Sequence, residues 1–352
     1  MIKKSTPFIL IIISLFSLNA FGEYSLYMPI GVRSKGMGST GYALSDDETS
    51  LYYNPAGLGL RNYRWNGGAI SFFISPIPTD VYNTFYSIVY QNQNLPQLGF
   101  SSYWNHVDFG TLDELVEGPD GQPVSTGNKW FSYEFTIASG AGYSFCSNGL
   151  VDNSAGIAVK YYRSLIGSTA GTSNFSASAF AIDLGYIFQL ISKFRFGLVL
   201  RNIGTDISYN FKDTTGFNNS KLPVSLVCGL GYKDSFNYMK LRILDISSEF
   251  SLLKIFNRDY HYINGLNIYS INTGADFSFF KTLSTRFGYS ESFSSSFNYF
   301  TWGAGLSLFN HFDLDIFQCI YVGDAQPTYG FSFCFKRVLN WNINDLRWWF
   351  NW

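Results

Sequence analysis

The chain has 352 residues, of which 46% are hydrophobic and only 14% charged, with a formal net charge of −1. A charged fraction far below the roughly 25% of ordinary domains argues against a soluble protein. The mean hydropathy of +0.03 and the lack of repeated apolar runs of about 20 residues argue against a multi-span helical membrane protein. A pI near 6.3 excludes the basic surface that nucleic acid requires.

The first 22 residues have the pattern of a secretory signal peptide. Two lysines precede an apolar run from Phe8 to about Leu18, and Ala20 to Gly22 supply the small residues that a signal peptidase reads. The run is too short for a membrane-spanning helix. We predict cleavage after Gly22 and export, without a lipoprotein anchor, because no cysteine lies near that site.

Residues 23–60 do not alternate between apolar and polar positions and are dense in glycine and turn residues. The stretch from Gly36 to Gly41 formally matches a dinucleotide-binding loop, but no strand precedes it and no βαβ pattern surrounds it. Its glycines instead indicate backbone that packs closely inside a barrel.

Alternation indicates the architecture of the remaining chain. Even positions from Phe180 to Phe188 are large and apolar, whereas Ala179, Ala181, Asp183 and Gly185 alternate with them. Charges keep to one face here and in four similar stretches, residues 194–201, 269–279, 283–289 and 312–316. A soluble sandwich would need a more charged polar face, whereas a barrel lumen holds small residues and occasional paired charges.

We therefore predict an all-β fold, a transmembrane antiparallel β-barrel of about 14 strands. Such strands run about 9–11 residues when tilted through a bilayer. They are expected to begin near Trp65, Tyr82, Leu98, Phe131, Ala155, Ala177, Phe194, Leu222, Lys240, Tyr269, Leu283, Phe300, Phe312 and Tyr329.

The connections between these strands alternate in length. Long polar loops are predicted at Val107–Asn128, Ile166–Asn174, Asp206–Lys221 and Phe250–Gly265. Short turns are predicted at Gln189–Lys193 and Lys281–Thr282. Bacterial barrels carry long loops outside and short turns in the periplasm, so we expect the long set to face the exterior.

The barrel is expected to span residues 61–337, and an aromatic tail, residues 338–352, follows it. Leu346, Trp348, Phe350 and Trp352 alternate up to the last residue. This tail is either the true closing strand or a segment at the membrane interface, and we favour the interface.

Several motifs, in order along the chain, resemble the FadL-like outer-membrane proteins, and most closely their PorV/PorQ-like branch. The N-terminal motifs are a Gly-x-Gly turn at Gly36 to Gly38, a small-residue stretch ending at Asp46 and Asp47, and the run Tyr53 to Leu58, which contains Asn54, Pro55, Ala56 and Gly57. The later motifs are Ala181–Tyr186, Arg201–Gly204, Lys221–Pro223, Gly274–Phe277, Arg286–Tyr289 and Trp302–Leu306. They cover most of the mature chain.

This resemblance implies a fourteen-stranded barrel whose lumen holds residues 23–60 as a hatch. FadL-type members import hydrophobic compounds, whereas PorV-type members hold exported protein cargo in a secretion machine. The Asn54–Ala56 motif then has two compatible interpretations. It gives the hatch its bend, and it lies in the part of the hatch that a ligand must displace.

Seven charged residues are expected to line the lumen, namely Asp183, Arg195, Arg201, Asp276, Arg286, Asp313 and Asp315. They either line a permeation path and hold the hatch, or satisfy one another as ion pairs inside a narrow barrel. We favour mutual pairing, because balanced charge confers no strong ion selectivity. The acidic run Asp46 to Glu48 is also positioned to pair with the lumenal arginines.

No pattern for catalysis or metal binding stands out. His106, His261 and His311 lack ligand spacing, and the sequence contains no nucleophile elbow or Walker loop. The cysteines, Cys146, Cys228, Cys319 and Cys334, are expected to be small apolar side chains. We predict that the protein is not an enzyme and needs no cofactor or metal.

The predicted function is passive transport of hydrophobic, fatty-acid-like molecules through a hatch-gated barrel in the bacterial outer membrane. The predicted partners are outer-membrane lipid and a hydrophobic ligand, with no nucleic acid. The alternative is a PorV-like scaffold that binds exported protein cargo.

Overall fold

The computed structural model describes residues 23–60, 68–77, 81–91, 95–117, 121–147, 150–170, 174–210, 220–239, 241–256, 268–293, 298–309, 311–323 and 325–336. The predicted signal peptide and the aromatic tail lie outside the described residues. So do Trp65 and Lys240, where two strands were expected to begin, and His261.

Fifteen strands are described. They are β1 Ala69–Ile77, β2 Val81–Gln91, β3 Leu98–Glu117, β4 Pro123–Ser147, β5 Val151–Ser168, β6 Asn174–Leu190, β7 Phe194–Gly204, β8 Ser208–Asn210, β9 Ser225–Tyr238, β10 Leu241–Ile255, β11 Ile268–Phe279, β12 Leu283–Ser292, β13 Tyr299–Leu308, β14 Phe312–Tyr321 and β15 Thr328–Lys336.

Fourteen of these strands close into one antiparallel barrel. Each pairs with its neighbour along the chain, β7 pairs with β9, and β15 returns to pair with β1 through Ala69↔Lys336. The short β8 pairs only with β6 and stays outside the ring. The predicted all-β barrel of fourteen strands is confirmed.

The alternation places apolar residues on the outside of the barrel. Phe180, Phe194 and Phe287 are each more than half exposed, whereas Asp183 and Val199 are fully buried in the interior. An outward apolar surface on a closed barrel is the arrangement that lipid requires, because every strand satisfies its backbone polar groups on its neighbours. The chain is therefore an outer-membrane β-barrel.

The long connections join β3 to β4, β5 to β6, β7 to β9 and β10 to β11, and we call their side of the barrel the loop end. The opposite side, with the short β6/β7 and β11/β12 turns, is the turn end. None of the described helices is long and apolar enough to cross a bilayer.

Several predicted boundaries were wrong. Most of the predicted loop Val107–Asn128 is strand, because β3 and β4 continue as a two-stranded hairpin as far as Glu117↔Pro123. Strands β5 and β10 likewise run to Ser168 and Ile255. The polar composition marked where strands leave the membrane, but two strands that leave it together still satisfy each other's hydrogen bonds.

Before the barrel, the N-terminal segment, residues 23–60, forms four short helical turns. They are α1 Tyr24–Tyr27, α2 Val32–Gly36, α3 Ser50–Tyr53 and a 3-10 helix at Pro55–Gly59. Nearly all of its residues are buried, although none belongs to the sheet. Most of its apolar side chains form a cluster with inward-facing wall residues such as Phe73, Phe85 and Tyr103, whereas Leu26, Ala56 and Leu60 belong to two smaller clusters.

Candidate functional site: the lumen and the N-terminal segment

The N-terminal segment runs through the interior and touches walls on opposite sides. Helix α1 packs on β3 and β4, α2 packs on β12 to β15, and the 3-10 helix packs on β3 to β6. The segment leaves at the turn end, where the Gln91 side-chain amide donates to the Leu60 carbonyl at 3.0 Å. What holds this segment decides how far the lumen is closed.

Glu249 of β10 holds the middle of the segment. Its Oε1 accepts backbone N–H groups from Gly41 and Tyr42 at 2.9 and 2.7 Å. Its Oε2 accepts those of Ala43 and Leu44 at 3.1 and 2.7 Å. Hydrogen bonds to an ionised acceptor are the strong ones, so this buried carboxylate is the densest polar anchor between wall and segment.

Three cationic side chains form ion pairs with Asp46. Its carboxylate lies 2.6 Å from Arg33 Nη1 within the segment, and 3.1 and 2.7 Å from Arg195 Nη1 and Lys233 Nζ of the wall. Arg33 also reaches Asp47 at 3.2 Å and Asp276 of the wall at 3.3 Å. This cluster bridges the segment to β7, β9 and β11.

Burial alone would raise the pKa of the Asp46 carboxyl, but Lys233, Arg33 and Arg195 outweigh burial and hold that pKa well below its usual range. The stabilisation is therefore fully present above the unfolded value of about 3.9 and is lost only as the pH falls through the lower folded value. Mildly acidic medium leaves the cluster intact.

A second buried cluster surrounds Asp183. Its Oδ2 lies 2.5 Å from Lys160 Nζ and 3.9 Å from Arg201 Nε, and its Oδ1 accepts the Asn202 N–H at 2.8 Å. Arg201 also contacts the segment, because its Nη2 donates to the Leu26 carbonyl at 2.9 Å. Its guanidinium lies 4.7 Å from the centre of the Tyr52 ring.

The remaining predicted lumenal charges pair with residues of the wall. Arg286 lies 2.6 Å from Asp315 and 3.4 Å from Asp276, and Asp313 lies 2.6 Å from Lys336. Three of the seven predicted charges, Arg195, Arg201 and Asp276, also contact the segment.

Asn54 and Pro55 shape the end of the segment. Pro55 opens the 3-10 helix, and the Asn54 Oδ1 accepts the Ala56 N–H at 3.1 Å, as an N-cap does. The Asn54 amide also donates to the Tyr42 carbonyl at 2.8 Å. The motif joins two stretches of the segment twelve residues apart.

Two glycines of the first motif lie against β12 and β13. A methyl group on Gly36 would approach the Cα of Gly303 to 3.3 Å. Gly38 has φ +69, and a methyl group there would lie 2.5–2.6 Å from backbone atoms of Thr273 and Tyr289. The same Gly38 N–H donates to the Thr301 hydroxyl at 2.9 Å. Only glycine fits at position 38, and position 36 leaves little room for a side chain.

Sequence reasoning missed Glu249, Lys160, Lys233, Arg33 and Glu134. Each of the wall residues among these lies at an inward position of an alternating strand, so the sequence pattern could have indicated that it faces the lumen. The pattern could not indicate the partner, because Glu249, for example, accepts hydrogen bonds from residues more than 200 positions earlier in the chain.

The described residues contain no group of three or more His, Cys, Asp or Glu side chains that could hold a metal ion. Cys228, Cys319 and Cys334 form no disulfide. Beside the end of the segment lies a polar cavity of about 90 Å³, lined by Gly59, Leu60, Gln97, Ser144, Asp152, Gln189 and Arg195.

Comparison with known proteins identifies the fold. No family model and no curated protein matches the sequence. The toluene transporter TbuX of Ralstonia pickettii matches with TM-score 0.56 and 13% identity, over 87% of this chain and 98% of that chain. The toluene transporter TodX of Pseudomonas putida matches with TM-score 0.56 and 13% identity, over 88% and 97%.

A Pseudomonas aeruginosa FadL homologue also matches, with TM-score 0.50 and 8% identity, over 87% of this chain and 98% of that chain. These three structures share the barrel fold of this chain. The closer resemblance to the PorV/PorQ-like branch stays a prediction.

Proposed function

We propose that the protein is a passive transporter of hydrophobic small molecules, fatty-acid-like in class, and that the N-terminal segment is its hatch. The observation that carries this proposal is the way the segment is held. It fills the lumen, yet it is joined to the wall by separable polar contacts at Glu249, Asp46 and Arg201 rather than by sheet pairing. A fold shared with proteins named as toluene transporters supports the same conclusion.

An apolar ligand would first meet aromatic side chains at the loop end. Tyr269, Tyr299 and Tyr321 lie at the ends of β11, β13 and β14 on that side, and they are partly buried against the lumenal cluster. Below them the segment blocks the way, and the cavity at the turn end is small and polar. A ligand therefore crosses only when the hatch moves.

Lys35 of the hatch is suited to the acidic head group of such a ligand. Its ammonium is largely buried and lies 5.1 Å from the centre of the Phe317 ring, and burial lowers its pKa. Among the described residues, no carboxylate lies within ion-pair distance of it. A buried cation without a counter-charge favours an anionic ligand.

The decisive experiment cross-links hatch to wall. In the double variant Ser25→Cys, Thr136→Cys two sulfur atoms would replace hydroxyls that lie 2.9 Å apart, one on the segment and one on β4, within reach of a disulfide. We expect oxidised protein in liposomes to stop taking up a fluorescent fatty acid and reduced protein to resume uptake. The single variant Thr136→Cys is the control. Equal uptake by the oxidised and reduced double variant would refute hatch gating.

The role of Lys35 is tested by comparing the uptake of an acidic and a neutral compound. Lys35→Met is expected to slow uptake of the fluorescent fatty acid roughly tenfold while leaving toluene uptake unchanged, because only the acid needs the ammonium. Lys129→Met, on the exposed hairpin, is the matched control. Equal slowing of both compounds would show that Lys35 does not recognise a carboxylate.

The β3–β4 hairpin supports the second candidate, a scaffold for exported protein. Beyond Asp108 strand β3 no longer pairs with β2, and before Trp130 strand β4 does not pair with β5. Exposed strand edges of this kind accept an extended peptide as an added strand. If this role is correct, a protein partner purifies with the native barrel and is lost when residues 112–128 are replaced by a short turn.

A further inference from the structure

The described chain begins inside the barrel. Glu23 is 1% exposed and Ser25 is fully buried. The Ser25 hydroxyl lies 2.9 Å from the Thr136 hydroxyl, and the Asn105 amide donates to the Ser25 carbonyl at 2.8 Å. The predicted cleavage after Gly22 would therefore leave the new amino terminus in the lumen rather than in solvent.

Glu134 of β4 faces this point and is incompletely satisfied. It is fully buried, and its Oε2 accepts the Ser25 N–H at 3.3 Å, whereas its Oε1 has no hydrogen-bond partner. The Oδ1 of the buried Asn105 also lacks a donor. Among the described residues, no Lys or Arg forms an ion pair with Glu134. The donors beside it are neutral, the Tyr162 hydroxyl and the Glu23 N–H, and the nearby Glu23 carboxylate repels it. A buried carboxyl in this state is stabilised either by taking up a proton or by a cation that brings further N–H groups.

We propose that the α-ammonium of Glu23 is that cation, so that removal of the signal peptide completes the site. Hydrolysis of the Gly22–Glu23 bond by a signal peptidase consumes one water. Gly22 leaves with a new carboxylate, and Glu23 keeps the amine, which takes up a proton near neutral pH. The uncleaved peptide offers one N–H and no charge there, whereas the ammonium offers three N–H groups and a positive charge.

This inference rests on the predicted cleavage and not on the proposed transport. The ion pair would add to the contacts that α1 already makes with β3 and β4, and the position of the cut would decide whether the ammonium reaches Glu134. A terminus one residue longer would carry its ammonium past Glu134.

Amine labelling of the native barrel tests the proposal. Protein in mild detergent is reductively methylated and then digested, and its N-terminal peptide is quantified by mass spectrometry. We expect a peptide that starts at Glu23, with an α-amine that reacts about tenfold or more slowly than in the heat-denatured chain, because labelling requires local opening. A different first residue, or equal rates in the two states, overturns the proposal.

Two variants test whether Glu134 is the partner of the Glu23 α-ammonium. Glu134→Gln is expected to abolish most of the protection, whereas Glu114→Gln on the exposed hairpin is expected to leave it unchanged. Insertion of one Ala between Gly22 and Glu23 is expected to give a fast-reacting amine in a barrel that still shows heat-modifiable migration. If the amine stays protected in both Glu134→Gln and the insertion variant, packing alone protects the terminus, and the proposed ion pair with Glu134 is wrong.

Discussion

Glu249 shows how much one wall side chain does for the segment. Four consecutive amides converge on its two oxygens, and none of those amides has another sheet or helix partner to replace it. A backbone donor buried without an acceptor is costly, so the carboxylate determines the path of residues 41–44.

Glu249→Gln should therefore loosen the segment. The amide nitrogen of Gln cannot accept hydrogen bonds, so two of the four N–H groups lose their acceptor, at a cost of about 1.5–3 kcal/mol each. We expect faster hydrogen exchange at residues 41–44 and faster dye entry into cells that carry the variant. Glu114→Gln, on the exposed hairpin, is the control. Unchanged exchange at these amides would show that packing alone holds them.

Arg201 and Arg286 are both buried lumenal arginines, but their partners differ. Arg201→Lys keeps the charge and loses the bond to the Leu26 carbonyl and the stacking on Tyr52. Arg286 pairs with Asp315 and Asp276 of the wall and reaches the segment indirectly, through Asp276, which also pairs with Arg33. We expect dye uptake to rise several-fold for Arg201→Lys and to change little for Arg286→Lys. Equal effects would contradict a direct role of Arg201 in holding the segment.

In two places the N-terminal segment and the wall also meet backbone to backbone. The Gly36–Gly38 turn lies against β11, β12 and β13, while the 3-10 helix lies against glycines of β4 and β5. Close approach of this kind leaves little room for a larger side chain, because the wall strands cannot move without breaking their ladder.

Gly38→Ala should displace the α2 turn. The positive φ costs about 1–2 kcal/mol for any L-residue, and the clash with Thr273 and Tyr289 adds to it. Gly127→Ala is the matched control, because Gly127 also has a positive φ, +79, but nothing lies within 4 Å of its added methyl group. The measurement is proteolysis of the segment in folded barrels. Equal cleavage of the segment in the two variants would show that a methyl group at Gly38 does not displace the turn from the wall.

At the scale of the whole molecule, closure of the barrel does not depend on the segment. The ladder is continuous from β1 to β15 and back, and none of the described residues before Ala69, 23–60 and 68, takes part in it. Backbone pairing supplies the wall, whereas the segment fills the space that the wall encloses.

A variant that keeps the signal peptide but lacks residues 23–60 should still form a barrel with heat-modifiable migration. Its lumen would fill with water, because the exposed side chains include Asp183, Glu249 and Arg286. We expect steady ion conductance in planar bilayers, at least tenfold above the intact protein, as in open barrels with polar interiors. A deletion variant as tight as the intact chain would place the barrier elsewhere in the wall.

The sequence predicted the number of strands and their two faces, and it failed at their ends. Wherever alternation was continuous, as from Phe180 to Phe188, both strand and face were correct. At Val107–Asn128, charged and turn residues masked a ladder that continues outside the membrane. The polarity of a segment reflects the medium around it, whereas its pairing as a strand depends on hydrogen bonds to the neighbouring strand.

The sequence alone determined that this chain is a β-barrel with apolar residues outside and charges inside, because alternation is a local property of a strand. Only the tertiary structure decided which charges meet. Glu249 and Glu134 look alike in the pattern, yet one meets four amides and the other meets the start of the segment. Their partners depend on strand register and on the route of a non-repeating segment through the lumen, and neither is encoded in a local period.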